Sequence, residues 1–367
     1  MNEREYEPLI GDLVGDRAAG WDLSGNLPIA SLRELGTKGL LCGQVPQRYG
    51  GLGLTSAANG ELTAYTGSLC SSLRSVMTSQ GMAAWTVQRL GTAPQRATHL
   101  AALTSGSLVG VAFSEPGAGS DLSAMRTSIV EDGADVVIEG RKTWITVAAY
   151  ADLLVVFGRL GDEAAAVVVP TGAPGVRIER IADPLGCRAA GHADVWFDQV
   201  RLPRDAVLGG TALPLGLIAT TALTSGRVSV AWGCVGILRS CLAAAARHAK
   251  NRSQGGVTLA DHQLIRRHLA ELSVAEQAAT RLCEHASACW DAGTAELVSA
   301  AVLAKHFAAT QAAAGAATAV QVLASAGSRD GHPVARAYRD AKLMELIEGS
   351  NEISQMMLAD HALAVWS

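Results

Sequence analysis

Between Ser107 and Leu208 the hydrophobic pattern changes period, and no other feature limits so strongly what this chain can fold into. Apolar runs there are short and β-branched: Val136 to Ile138, Leu153 to Phe157, Ala165 to Val169 and Val195 to Phe197. Turn signals such as Asp132-Gly133 and Pro170-Thr171-Gly172 separate them, the texture of an antiparallel β domain. On either side helical spacing prevails. The N-terminal stretch carries runs such as Met82 to Leu90, broken by a Gly-rich loop from Tyr49 to Gly53. After Leu213, Ile265, Leu269, Leu272, Ala275, Ala279 and Leu282 recur every three or four residues and line one helical face. The Ala-rich tract from Ala300 to Ala319 favours helix and allows close helix packing. This pattern predicts a mostly helical α+β protein. Its parts are a helical domain over 1–107, an antiparallel β domain over 108–208 and a helical bundle over 209–367.

Composition narrows the function classes. The 367 residues suffice for a large core and more than one domain. Net charge is −4 with no basic block, which argues against nucleic acid as a partner. No uninterrupted apolar run approaches the roughly 20 residues that span a bilayer. The acidic stretch Met1 to Asp12 reads as neither a signal nor a transit peptide. Seven cysteines are scattered without a C-x-x-C pair, against zinc or a disulfide framework. A reducing cytoplasm is the expected location.

Two distant segments carry chemistry. The first, Ser114-Glu115-Pro116-Gly117-Ala118-Gly119-Ser120-Asp121, follows the strand-like run Leu108 to Phe113. Its glycines would let backbone N–H groups approach a ligand, though a bare G-A-G-S is as readily a tight turn. The second is Glu345 to Ile353, with Glu348 directly before Gly349 and Ser350. An isolated glutamate at a helix end is ordinarily a surface charge. Between them lies Lys142-Thr143-Trp144-Ile145-Thr146, whose tryptophan would ordinarily be core.

Together these segments resemble the acyl-CoA dehydrogenase family, with its E-P-x-A-G-S-D, G-x-K-x-W-I-T and late glutamate regions. Further colinear matches span nearly the whole chain: Pro46 to Gly53, Leu90-Gly91-Thr92 with Gln95, Leu223 to Arg227, Arg252 to Gly256 with Gln263, Gln321 to Gly327, and Tyr338 to Ala341. The resemblance implies bound FAD. Ser114 and Thr146 would hydrogen-bond its ring, Trp144 would pack against it, and Ser120 with Gly119 would hold the pyrophosphate region. Val111 and Phe113 would add backbone contacts, and Ser350 and Glu352 would lie near the FAD. Arg252, Gln254, Gln263, Gln321 and Ser325 would reach FAD held by a neighbouring subunit, implying a homodimer or homotetramer.

Glu348 would be the base that removes the proton α to a thioester carbonyl, with hydride leaving the β carbon. Burial lifts such a carboxylate toward neutrality. Glu345 and Glu352 are its local competitors. Arg227, Ile347, Gly349 and Ser120 would line the substrate site. Arg227 reads equally well as an electrostatic organiser or as a structural ion pair.

Four departures from the family pattern stand out. Gly255 replaces a usual Phe, Ala324-Ser325 replaces Gly-Gly, Ile347 replaces an aromatic, and Thr224 replaces an acidic residue. Within the family the chain is similar to dehydrogenases that make hydroxymalonyl- or methoxymalonyl-carrier-protein for polyketides. The substrate would then be a glyceryl or hydroxyacyl thioester on a carrier protein, and an electron-transferring flavoprotein would accept the electrons. The alternatives are catabolic oxidation of a short acyl-CoA, a flavin oxidase or monooxygenase on the same fold, and a non-catalytic FAD-binding scaffold.

Overall fold

The computed structural model describes residues 5–366; Met1 to Arg4 and Ser367 lie outside the described residues. Six helices come first: α1 (Glu7–Val14), α2 (Arg17–Ser24), α3 (Ile29–Thr37), α4 (Ser56–Leu69), α5 (Ser71–Leu90) and α6 (Ala93–Thr104). The matched Thr92/Gln95 pair turns out to be a capping box that starts α6, each side chain bonding the other's backbone N–H. Gln95 also donates to the carbonyls of Asp205 and Val207, at 2.7 Å each, and so ties α6 to the end of the β domain.

Seven strands follow: β1 (Val109–Ala112), β2 (Ser128–Asp132), β3 (Asp135–Ile145), β4 (Leu153–Leu160), β5 (Glu163–Pro170), β6 (Val176–Arg180) and β7 (Ala193–Pro203). Each of the four apolar runs read as strands lies in one of them. The sheet is not purely antiparallel, however. β1 lies parallel to β4, with Val109 opposite Leu153, and β2 touches β4 in parallel at Ser128 and Arg159. The correction has a simple cause. Turn signals between short runs report hairpins such as β2–β3 and β4–β5, but β1 reaches β4 only through a long connection, which a parallel pair requires.

The C-terminal part begins with α7 (Leu215–Asn251), passes through the hairpin β8 (Ser253–Gln254) and β9 (Val257–Thr258), and continues with α8 (Gln263–Ala292), α9 (Leu297–Leu323), α10 (Pro333–Met344) and α11 (Asn351–Trp366). The predicted face of α8 packs inward, with Leu272, Ala275 and Ala279 buried against α7 and α9. By length and composition α7 and α9 could each cross a membrane, but α7 has 67% of its most apolar window buried inside the protein. Phe113, Phe157, Val87 and Leu100 belong to a core that joins α5 and α6 to one face of the sheet.

Candidate active site

The Glu345–Ser350 turn joins α10 to α11, and two cations hold it. Arg227 Nε of α7 donates to the Glu348 carbonyl at 3.1 Å. Lys305 Nζ of α9 donates to the Gly349 carbonyl at 2.6 Å. Asn351 closes the turn, its N–H donating to the Glu345 carbonyl at 2.9 Å. Glu348 and Gly349 both take positive φ, 56° and 91°. For a glutamate this is a strained backbone, of the kind that persists only where its surroundings enforce it.

The strain aims the Glu348 side chain inward. Its Oε2 is shut from solvent and has no hydrogen-bond partner, although the residue as a whole is only half-buried. It rests against Gly226 of α7, where any Cβ would collide with it and with Met82 of α5. Burial lifts the carboxyl to about 7, against the opposing pull of Arg227, Lys305 and Arg74. A carboxyl raised toward neutrality in this way suits a general base. The Glu348 N–H has no acceptor among the described residues. The competitors lack this setting. Glu345 is engaged by Lys342 and Asn351, at 2.9 and 3.0 Å. Glu352 is exposed, and the Ser350 hydroxyl holds its carboxyl below the ordinary value. Ile347 is half-buried and packs against the C-terminal core.

A cavity between α4, α5 and α7 is lined among others by Thr78, Trp85, Gln88, Ser225, Ser229 and Asn59. Ser225 and Gly81 on its wall are sequence neighbours of Gly226 and Met82. Trp290 is also in the wall, its ring 4.4 Å from that of Trp85.

The Ser114–Asp121 loop leaves the end of β1. A buried ion pair locks it to the second motif: Lys142 Nζ donates to Glu115 Oε1 at 2.8 Å and to the Phe113 carbonyl at 2.9 Å. Glu115 also accepts from the N–H groups of Arg126 and Thr127, which completes a charge-assisted network. The Phe113 ring stacks on Phe157 at 3.7 Å, and Val111 sits in register with Val155. Ser114 accepts from the Thr143 N–H through its carbonyl at 2.9 Å. Gly119 and Ser120 are exposed, and a Cβ at Gly117 or Gly119 would meet nothing within 4 Å.

Trp144 is not a core residue; it is 52% exposed and takes φ 58°. Asp194 holds this turn, accepting from the Thr143 hydroxyl and the Trp144 N–H while pairing with Arg141. Val147 takes φ 72°, an outlier for a β-branched residue. Thr146 Oγ1 lies 3.3 Å from His192 Nδ1. Burial lowers His192 to about 4, so the ring is neutral, and its Nε2 is buried without a partner. FAD fits these surroundings: an outward indole, adjacent hydroxyls, an open glycine loop and an orphaned ring nitrogen. Ser114, Ser120, Trp144 and Thr146 would hold it.

Arg252, Gln254, Gln263, Gln321 and Ser325 form a separate, exposed set around the far end of α7, the hairpin and the end of α9. Arg252 stands 25 residues along α7 from Arg227, on the order of 37 Å. One chain does not bring these residues to its own Glu348 turn. Gly255 and Gly256 have φ 64° and 84° between Gln254 and Val257, as a two-residue type I′ hairpin turn requires. The glycine that replaces the family's usual phenylalanine thus makes that turn.

Residues 9–107, 110–200 and 216–363 match the N-terminal, middle and C-terminal domains of acyl-CoA dehydrogenase, in that order. The chain belongs to the acyl-CoA dehydrogenase family. Members are FAD-dependent oxidoreductases that act on CH–CH donors, and this chain is one of them. It is 33% identical to the mitochondrial short-chain specific acyl-CoA dehydrogenase of Bos taurus, over 94% of this chain and 85% of that protein. The solved structure of butyryl-CoA dehydrogenase from Megasphaera elsdenii superposes with a TM-score of 0.94 at 25% identity, covering 98% of each chain. That of FkbI, described as serving biosynthesis of the methoxymalonyl extender unit of the FK520 polyketide immunosuppressant, superposes with a TM-score of 0.94 at 61% identity. It covers 98% of this chain and 99% of that one.

In this dehydrogenase, reading the sequence missed Lys305, His192, Arg74, Gly226 and the Glu115–Lys142 pair. Only Lys305 carried a local signal, as the one lysine or arginine inside an Ala-rich helix. The others gain meaning only from contacts between distant segments.

Proposed function

We propose that this dehydrogenase oxidises a short hydroxyacyl thioester held on an acyl carrier protein, on the way to hydroxymalonyl or methoxymalonyl polyketide extender units. The observation that carries this reading is the cavity whose wall holds Ser225 and Gly81, next in sequence to the Gly226 and Met82 that meet the Glu348 carboxylate. Its wall presents Thr78, Ser225, Ser229, Asn59 and Gln88 among apolar residues such as Met77, Val228 and Trp232, a mixed lining that suits a short hydroxylated acyl chain. The likeness to FkbI over nearly the whole chain supports it.

Glu348 takes the proton from the α carbon, its Oε2 being free and its ionisation centred near neutral pH. The Glu348 N–H, which has no acceptor among the described residues, would hold the thioester oxygen as negative charge develops there. Arg227 and Lys305 act through the backbone, fixing the turn that aims the base. Bound FAD supplies the acceptor for the hydride that leaves the substrate. Trp144 and Thr146 orient the cofactor, and Ser114, Gly119 and Ser120 secure it. Arg252, Gln254, Gln263, Gln321 and Ser325 reach the FAD of a neighbouring subunit in a homo-oligomer, and a soluble electron-transferring flavoprotein takes the electrons.

The test is anaerobic bleaching of the bound flavin. Reduction by glyceryl-carrier-protein, and not by butyryl-CoA, supports the reading. Reduction by butyryl-CoA alone moves the enzyme to ordinary acyl oxidation, in line with its bovine relative. The shared site has its own test. In mixed dimers of W144A and R252A subunits, contacts between subunits restore one intact FAD site per dimer, whereas contacts within a subunit restore none.

A further inference from the structure

The turn from α8 to α9 brings together three metal-ligating side chains that the thioester chemistry does not use. His285 and Cys289 stand four residues apart on α8, so both lie on one face of the helix. Gly293 ends α8 in the left-handed conformation, φ 64°, and its N–H donates back to the Cys289 and Trp290 carbonyls. The Thr294 N–H also donates to the Cys289 carbonyl, at 3.1 Å. The chain therefore reverses tightly, and Glu296, directly before α9, returns alongside the last turns of α8. Its Oε1 lies 3.2 Å from His285 Nε2, and that same nitrogen lies 3.8 Å from Cys289 Sγ. Imidazole, thiol and carboxylate each offer one ligand atom, and the three atoms lie within 4.8 Å of one another.

These separations suit one ion held between the three. Zinc bonds sulfur at about 2.3 Å and imidazole nitrogen or carboxylate oxygen at about 2.0 Å, which sets tetrahedral ligand atoms roughly 3.3–3.6 Å apart. The His285–Glu296 and His285–Cys289 separations straddle that range. The donor set also discriminates. Thiolate and imidazole favour zinc over magnesium and calcium, which take oxygen ligands. Cys289 is buried whereas His285 and Glu296 are exposed, so an ion can enter from solvent and a water can take the fourth position. The same end of α8 is anchored to the start of α4, where the Ser56 N–H donates to Asp291 Oδ1 at 2.8 Å. Cysteine spacing argued against a zinc site built on C-x-x-C pairs, but one cysteine joined by a histidine and a glutamate needs no such pair.

We propose that His285, Cys289 and Glu296 form a zinc site, with water as the fourth ligand. Binding replaces the Cys289 thiol proton, which passes to solvent, and no oxidation state changes. The ion clamps the α8–α9 turn and so steadies Trp290, the residue after Cys289, whose ring lies in the cavity wall 4.4 Å from that of Trp85. Only the folded turn holds Glu296 against α8, so zinc binds the folded chain in preference and stabilises it. The site involves neither Glu348 nor the flavin loop.

The test is a calorimetric titration of the FAD-loaded protein with zinc chloride, and separately with magnesium chloride, for the wild type, H285A and C289S. The expected result is one tightly bound zinc ion per chain, no saturable magnesium binding, and zinc affinity at least about tenfold lower in each variant. Zinc should also raise the Tm of the wild type and leave that of H285A nearly unmoved. Zinc binding that is equally tight in wild type and H285A puts the ion elsewhere and overturns the proposal. Absence of saturable zinc binding overturns it too, as does magnesium binding as tightly as zinc. Should C289S not fold, H285A decides alone, because it removes only an exposed ring. The titration needs no turnover, so failure of the proposed function, seen as flavin that carrier-bound thioester does not bleach, is a separate result.

Discussion

Gly226 of α7 faces the Glu348 carboxylate with no side chain between them, and the space a methyl group would need is already taken by Oε2 and by Met82. Gly226 and Glu348 are 122 residues apart in sequence, yet the absence of one Cβ decides where the carboxylate sits. In G226A the carboxylate must move, and a displacement of about 1 Å costs on the order of 10²-fold in rate. The expected outcome is a large fall in kcat with FAD content unchanged. The ratio of flavin absorbance to protein, measured beside turnover, checks it.

Burial that raises Glu348 to about 7 has a thermodynamic consequence. The unfolded chain ionises near 4.5, so the folded state is penalised as pH rises from about 4.5 through 7. A shift of this size corresponds to roughly 3 kcal/mol as an upper bound. In the apo protein E348Q lacks this penalty. Its stability should match that of wild type near pH 4.5 and exceed it above pH 7, which parallel denaturant titrations at the two pH values would reveal.

Lys305 is fully buried, and burial lowers it to about 8. In its charged form it favours the ionised Glu348 and holds the turn through Gly349. K305M removes both effects. The acidic limb of the kcat profile, set near pH 7 by Glu348, should move to higher pH by on the order of one unit, and the plateau should fall. An unshifted limb would show that Lys305 is structural only.

Ala324 closes α9 with φ 50° and ψ −133°, a conformation that only glycine adopts freely. Its side chain is exposed, so nothing is lost by removing it. A324G should raise stability by about 1 kcal/mol, visible as a higher urea midpoint at unchanged slope.

Ala324 and Gly255 also show where reading the sequence reached its limit. Both were visible as departures from the family pattern at positions tied to the cofactor. One proves to be a strained helix end and the other a hairpin turn, because backbone φ is not written in residue identity. The three-part organisation was legible, since strand and helix periods differ along the chain and the face of α8 packs as spaced. The parallel placement of β1 was not, because period alone does not say which strands become neighbours. Glu348 was legible as a motif residue, but its free oxygen and raised ionisation depend on Gly226, Arg227 and Lys305 meeting across separate helices. Trp144 shows the reverse error of a general rule: a tryptophan in a sheet is ordinarily core, and here Asp194 and a positive φ turn it outward.

The central claim is that Glu348 is the base that starts thioester oxidation. Anaerobic stopped-flow reduction of the bound flavin by glyceryl-carrier-protein, compared between wild type and E348Q, tests it most directly. The account predicts that E348Q retains FAD and thioester binding while flavin reduction slows by at least about 10³-fold. Reduction at near wild-type rates in FAD-loaded E348Q would contradict it.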